Sequence, residues 1–195
     1  MTAENTQQVV FIDSRVPDIQ DLLAGLQPGE QAFVLDSSSD GVEQIADILA
    51  ANNLTNLTSI SIVSHGETGE LELGSAFITD TTLASHSNPL AEIGAALAPG
   101  GNIQLYGCDV AQGPAGQQFI NDFSTYAGGV VVEAATHSVG SAGGWTLDAL
   151  SASGVPTVDG AAPTGLPGSP PAAGAPAHGA ASAPFTSQAH ASFPG

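Results

Sequence analysis

Short apolar runs alternate along this sequence with longer segments in which apolar residues recur every three or four positions. Residues 9–13 form a short, β-branched run, which is typical of a buried strand. After Pro17, the residues Ile19, Leu22 and Leu26 recur with helical spacing. The same reasoning predicts further strands at residues 31–35, 57–64, 103–106 and 130–132, and further helices at residues 42–49, 89–97 and after the Gly113-Pro114 pair.

Strands that alternate with helices are typical of α/β proteins, in which the helices cover a parallel sheet. The pattern therefore predicts an α/β fold of three layers, with a mostly parallel sheet and helices on both faces. Two segments depart from the alternation. Residues 70–78 alternate in hydrophobicity and predict a small hairpin, and residues 144–147 are expected to form a last edge strand.

The composition changes abruptly near residue 152. Residues 151–195 are mainly Ala, Pro, Gly and Ser, and they lack the apolar content that would offset the entropy cost of ordering them. We therefore predict an N-terminal extension at residues 1–8, one folded domain at residues 9–150, and a disordered linker or tail at residues 151–195.

The charge balance restricts the partners that this chain can bind. Arg15 is its only lysine or arginine, against 19 acidic residues, and the net charge is −18. Phosphate backbones and anionic membranes are bound by clustered cations, so nucleic acid is excluded as a partner. No apolar run approaches the roughly 18 residues of a membrane span, so we expect no membrane insertion.

The same composition suits a protein that stays soluble outside the cell. No basic segment followed by an apolar segment opens the sequence, as it would in a Sec signal peptide. We therefore expect an extracellular or cell-surface location that is reached by a non-Sec route.

A histidine and the only cysteine of the chain each follow a predicted strand. His65 comes after the strand at residues 57–64, and Cys108 comes after the strand at residues 103–106. The carboxyl ends of parallel strands meet at one edge of the sheet, where sites in such folds lie. A Cys-His dyad is one hypothesis for this edge, with His65 as the base and Cys108 as the nucleophile. Gly66 and Gly107 beside them would allow close approach of a substrate backbone.

Simpler interpretations stand beside this hypothesis. A lone cysteine is most often a buried core residue, and a His-Gly pair after a strand is often only a turn. The acidic Glu67, Glu70 and Glu72 either orient His65 or only solvate the hairpin. His137 follows the fifth strand, where it would line the cleft.

Other chemistry has less support. The run from Asp36 to Gly41 matches the front of a calcium loop, but Asp47 stands where that loop has its glutamate. An N-cap role for Asp40 explains the same run, and we favour it. The other histidines show no ligand spacing, so no metal site and no cofactor are predicted: His86, His137, His178 and His190.

The segments VVFIDS, VLDSSSDGVEQIADIL, ISIVSHG, IQLYGCDVA, GQQFINDFS and GGWTLD carry a family resemblance. Over about residues 9–148 the chain resembles a domain of unknown function that lies near the N-termini of giant bacterial surface proteins and adhesins. That domain is similar to the caspase-like (clan CD) cysteine peptidases. The resemblance implies a caspase-like fold, His65 as general base and Cys108 as nucleophile, and a protein or peptide substrate that includes the chain itself.

Two departures from the caspase pattern affect specificity. Relatives that cleave after basic residues carry an acidic residue two positions before the cysteine, and Tyr106 stands there instead. Arg15 follows the first strand, where caspases draw one arginine of their acid-binding pocket, and no second arginine completes that pocket. The residues expected to bind substrate beside the dyad are Gly66, Gly107, Asp109 and Arg15. The alternative function is a catalytically silent N-terminal module for export, surface retention or adhesion, and a third is a calcium-dependent binder.

Overall fold

The computed structural model describes residues 7–26, 28–140 and 144–152. The predicted tail lies outside the described residues from residue 153 onward. The strands are β1 (Gln8–Asp13), β2 (Glu30–Leu35), β3 (Leu57–Val63), β4 (His65–Glu67), β5 (Glu70–Leu73), β6 (Ala76–Thr79), β7 (Leu97–Tyr106), β8 (Val131–Ala134) and β9 (Ala149–Leu150). The helices are α1 (Ile19–Ala24), α2 (Gly41–Ala51), α3 (Ser87–Ala95) and α4 (Gly113–Tyr126), with a 3-10 turn at Leu83–His86.

Six strands form a central sheet in the order β2-β1-β3-β7-β8-β9. The pairs among the first five strands of this order are parallel, and β9 runs antiparallel to β8 at the edge. The chain goes from β1 outward to β2 and then returns past β1 to β3, so the direction of winding changes between β1 and β3. Ligand clefts of doubly wound sheets lie at the carboxyl ends of the strands at such a change.

Helices cover both faces of this sheet, which confirms the predicted three-layer α/β fold. The apolar sides of α2, α3 and α4 pack on one face through Ile45, Ile93 and Phe119, which are fully buried or nearly so. The other face carries a smaller cluster, in which α1 and the segment around Trp145 pack against Tyr106. None of the described helices is both long and apolar enough to cross a membrane.

The small hairpin is larger than the sequence pattern predicts. Strands β4, β5 and β6 form an antiparallel sheet of three strands, and His65 begins its first strand opposite Glu72. The pattern misses β4 because its three residues, His65–Glu67, carry no apolar side chain. His65 is thereby held by strand pairing and not by a loose turn.

Two further expectations about strands are wrong. Residues 144–147 do not form the edge strand, which lies at Ala149–Leu150 instead; Gly144 forms an isolated bridge with Gly140. The strand predicted at residues 103–106 starts too late, because β7 begins at Leu97 and includes Pro99, Gly100 and Gly101 through an irregularity in its pairing with β3.

Asp40 caps α2, which confirms the predicted N-cap. Its carboxylate accepts hydrogen bonds from the backbone N–H groups of Val42 and Glu43, at 2.9 and 3.2 Å. Its second oxygen lies 2.8 Å from His86 Nε2, and Asp36 is likewise occupied, by Ser38. Asp36 and Asp40, the carboxylates at the front of the apparent calcium loop, are therefore engaged in local hydrogen bonds.

The contact between His86 and Asp40 makes the stability of the domain depend on pH. Burial lowers the pKa of His86, but the Thr82 carbonyl at Nδ1 and the Asp40 carboxylate at Nε2 outweigh it and raise the pKa above its usual 6.5. A raised pKa adds stability that is complete below pH 6.5 and is lost as the pH rises through the raised value. We expect a loss of about 1 kcal/mol, or roughly 2–4 °C in Tm, between pH 5.5 and pH 8.5.

Thermal melts of wild type and His86→Gln across this pH range measure the effect. The Tm of His86→Gln is expected to vary less with pH, because glutamine does not titrate. Asp40→Asn is the matched control, since asparagine keeps an oxygen for the N-cap but removes the charge beside His86. Equal pH dependence in all three proteins would contradict the assignment.

Candidate active site

The register of the sheet places the two candidate residues equally far beyond the ends of two neighbouring strands. Val63 of β3 pairs with Tyr106 of β7, and each strand ends at that position. His65 lies two residues beyond Val63, and Cys108 lies two residues beyond Tyr106. The Ser64 N–H donates to the Tyr106 carbonyl at 3.2 Å, so the pairing extends toward the site.

Both residues line one cleft at the carboxyl edge of the sheet, with a cavity volume of about 250 Å³. His65 is exposed, and Cys108 is half-buried. Apolar side chains make up most of the remaining wall, namely Val16, Leu22, Val63, Tyr106, Val139 and Trp145. The structure therefore brings together the histidine and the cysteine that the sequence singles out.

The glycines that adjoin His65 and Cys108, Gly66 and Gly107, leave no room for a side chain. A Cβ on Gly66 would lie 2.7 Å from Val110 Cγ2, and a Cβ on Gly107 would lie 2.8 Å from the same atom. The Cβ on Gly107 would also lie 3.4 Å from the Cα of Gly66. A side chain at either position would push apart strand β4, which begins at His65, and the segment that carries Cys108.

The imidazole of His65 is oriented by the main chain. Its Nε2 lies 3.3 Å from the carbonyl oxygen of Arg15, two residues beyond the end of β1. A carbonyl can only accept, so this contact assigns the proton of neutral His65 to Nε2 and leaves the lone pair on Nδ1. In this tautomer, Nδ1 is the nitrogen that can accept a proton.

The sulfur of Cys108 is fixed by the segment that follows β8. The N–H of Val139 donates to Sγ at 3.3 Å, and Sγ lies 3.5 Å from the carbonyl oxygen of Val139. The next residue, Asp109, has a left-handed φ of 58°, which non-glycine residues adopt at a cost. Its N–H donates to the His137 carbonyl at 2.9 Å, which fastens the turn.

The predicted binding residues have varied surroundings. The Asp109 carboxylate accepts from Gln112 Nε2 at 3.0 Å and supports the turn after Cys108. The Arg15 guanidinium donates to Asp13 through Nε and Nη2, and to Glu72 through Nη1 at 3.2 Å. His137 is absent from the described residues that line the cleft, contrary to expectation, and its carbonyl accepts from the Asp109 N–H.

Asp13 is a site residue that sequence reasoning missed. Its side chain is fully buried, and it accepts hydrogen bonds from the Arg15 N–H at 2.9 Å and from the Gly74 N–H at 2.7 Å. Burial raises the pKa of Asp13, but the hydrogen bonds from Arg15 and Gly74 outweigh it, so the pKa is lowered. Asp13 and Arg15, called the clamp below, hold the carbonyl that orients His65. In the sequence, the only sign of the role of Asp13 is that this carboxylate ends the apolar run at residues 9–13.

The sequence also gives no sign that Trp145 and Val139 line the cleft, because its pattern places Trp145 in a strand and assigns Val139 to no element. In the structure, the indole of Trp145 packs on Tyr106 with ring centroids 6.1 Å apart, and both rings line the cleft. A wall built from a loop has no periodicity that a pattern could detect.

The fold and the site define a three-layer α/β domain in which a histidine and a cysteine face one cleft at the edge of a parallel sheet. A model of the family described as "Domain of unknown function (DUF4347)" matches residues 9–160. The chain belongs to this family, which confirms the resemblance to a domain of unknown function.

The other comparisons add little. Nothing matches among curated proteins. A solved structure described as "Crystal structure of a small-chain dehydrogenase" matches with 8% identity and a TM-score of 0.34, over 64% of this chain and 78% of that chain. A likeness of that size carries no argument about this domain.

Proposed function

We propose that this domain is a caspase-like cysteine peptidase of an extracellular or cell-surface bacterial protein, which acts on protein or peptide substrates that include its own chain. The observation that carries the proposal is the shared cleft, in which Cys108 and an oriented His65 lie at the ends of neighbouring parallel strands. The chain's resemblance to caspase-like peptidases supports it, and the acidic composition supports the location.

The reaction follows from the roles of these groups. Nδ1 of His65 takes the proton of the Cys108 thiol, and the thiolate attacks the carbonyl carbon of the scissile peptide bond. Backbone N–H groups beside Gly66 and Gly107 stabilise the oxyanion that forms. The imidazolium returns its proton to the leaving amine, and a thioester remains on Cys108. Water, deprotonated by His65, then hydrolyses the thioester and restores the thiol.

Alkylation of the single cysteine tests the proposal without any knowledge of the substrate. We expect iodoacetamide at pH 6.5 to modify Cys108 of the folded protein at least about tenfold faster than in the urea-unfolded chain, because in the proposed mechanism His65, which lines the same cleft, acts as the base for the thiol. Intact-mass spectrometry measures the rate. His65→Ala is expected to reduce the folded rate to that of the unfolded chain, whereas His86→Gln, which lies outside the cleft, leaves it unchanged.

The alternative function, a silent module for export, surface retention or adhesion, gives a different result. In that case Cys108 is a packed side chain, and folding slows its alkylation. A folded protein whose labelling is slow and insensitive to His65→Ala would overturn the peptidase proposal.

A further inference from the structure

The walls of the cleft determine which side chain it accepts, and the described residues that line it include no lysine or arginine. Arg15 is the only lysine or arginine of the chain, and its guanidinium is occupied by Asp13 and Glu72. The described walls of the cleft therefore offer no free lysine or arginine to an acidic side chain, and the net charge of −18 repels one. Selection of aspartate, as in caspases, has no basis in these residues.

A basic side chain is also poorly matched. Among the described residues, Asp18 is the one carboxylate that lines the cleft, and it lies exposed at the start of α1. Solvent screens an exposed charge, so an ion pair there adds little. Deeper in the cleft, Leu22, Val63 and Tyr106 are almost completely buried, and they would desolvate an ammonium group without pairing it.

The other residues that line the cleft suit a large apolar side chain of a substrate. The Tyr106 and Trp145 rings form one side, and Val16, Leu22 and Val139 lie around them. Cys108 lies in the same wall, with its sulfur held by Val139. A substrate whose scissile carbonyl meets the sulfur would place its neighbouring side chain against this apolar surface.

Resting on the proposed function, we infer that the cleft selects an uncharged, apolar side chain on the acyl side of the scissile bond. The chain itself contains such a bond. Residues 153–195 include no lysine or arginine, and their large apolar residues are Val155, Val158, Leu166, Phe185 and Phe193. Of these, only Val158 and Phe185 are not followed by proline, and Phe185 is the larger. Phe185-Thr186 is thus the self-processing bond that fits best.

Peptides that copy residues 182–189 test the selectivity, with Phe185 kept or replaced by norleucine, lysine or aspartate. Norleucine matches the stem of lysine but has no charge. Binding is measured on Cys108→Ala protein by the fluorescence of Trp145, the only tryptophan, which lines the cleft. We expect the phenylalanine and norleucine peptides to bind at least about tenfold more tightly than the charged ones, from the burial of one apolar side chain.

Charged peptides that bind as tightly as the apolar ones, or no binding by any peptide, would overturn the inference. A tight Phe185→Lys peptide whose affinity falls in Asp18→Asn protein would show instead that Asp18 selects a cation. Cleavage by wild type, followed by mass spectrometry, separates the two proposals. Apolar selectivity in binding with no cleavage of any peptide would overturn the peptidase function and leave the selectivity intact.

Discussion

Replacing Cys108 with alanine is expected to abolish peptide hydrolysis, with a fall in kcat/KM of roughly 10³-fold or more, as for other nucleophiles of covalent catalysis. The physical reason is that Cys108 is the only thiol of the chain and lines the same cleft as His65. His65→Ala is expected to cost a similar factor, because base and nucleophile act as one unit and their losses are not additive. The measurement is cleavage of the residue 182–189 peptide at saturating and at limiting concentration.

The double variant sharpens this test. If the two residues work together, Cys108→Ala with His65→Ala loses no more activity than either single variant. His86→Gln serves as the histidine control, since His86 contacts Asp40 and Thr82 away from the cleft. Wild-type activity that survives in Cys108→Ala would assign the hydrolysis to another group or to a contaminant.

Asp13→Ala is expected to destabilise the domain by about 1–3 kcal/mol, the usual cost of leaving a buried hydrogen-bond donor without its acceptor. The substitution leaves the Arg15 guanidinium and the Gly74 N–H without the fully buried carboxylate that accepts from both. Urea denaturation measures the free energy of unfolding. Asp80→Asn, at an exposed aspartate, is the control and is expected to change little.

The stabilising contribution of the Asp13 carboxylate decreases as the pH falls. The pKa of Asp13 is lowered from its usual 3.8, so its contribution is present above pH 3.8 and is lost as the pH falls through the lowered value. Wild type is therefore expected to lose stability below pH 3.8 more steeply than Asp13→Asn. Parallel acid curves for the two proteins would contradict a stabilising role for the Asp13 charge.

The sequence predicts the central sheet well because buried parallel strands are continuous apolar runs. Residues 57–64, for example, correspond to β3 with a difference of one residue. It also predicts that His65 and Cys108 share a cleft, since that follows from two strand ends and parallel pairing. What it misses depends on contacts between distant segments. The bond between Asp13 and Gly74 joins residues 61 positions apart, and no local pattern records it.

The solitary cation of the chain has a practical consequence for handling this protein. Trypsin cuts after lysine or arginine, so these 195 residues offer it a single bond, between Arg15 and Val16. The arginine side chain that trypsin must engage is held by Asp13 and Glu72 in the folded domain. Resistance to trypsin thus reports on one site: each digested molecule is one in which the contacts of Arg15 with Asp13 and Glu72 have opened, so digestion follows the clamp at concentrations too low for spectroscopy.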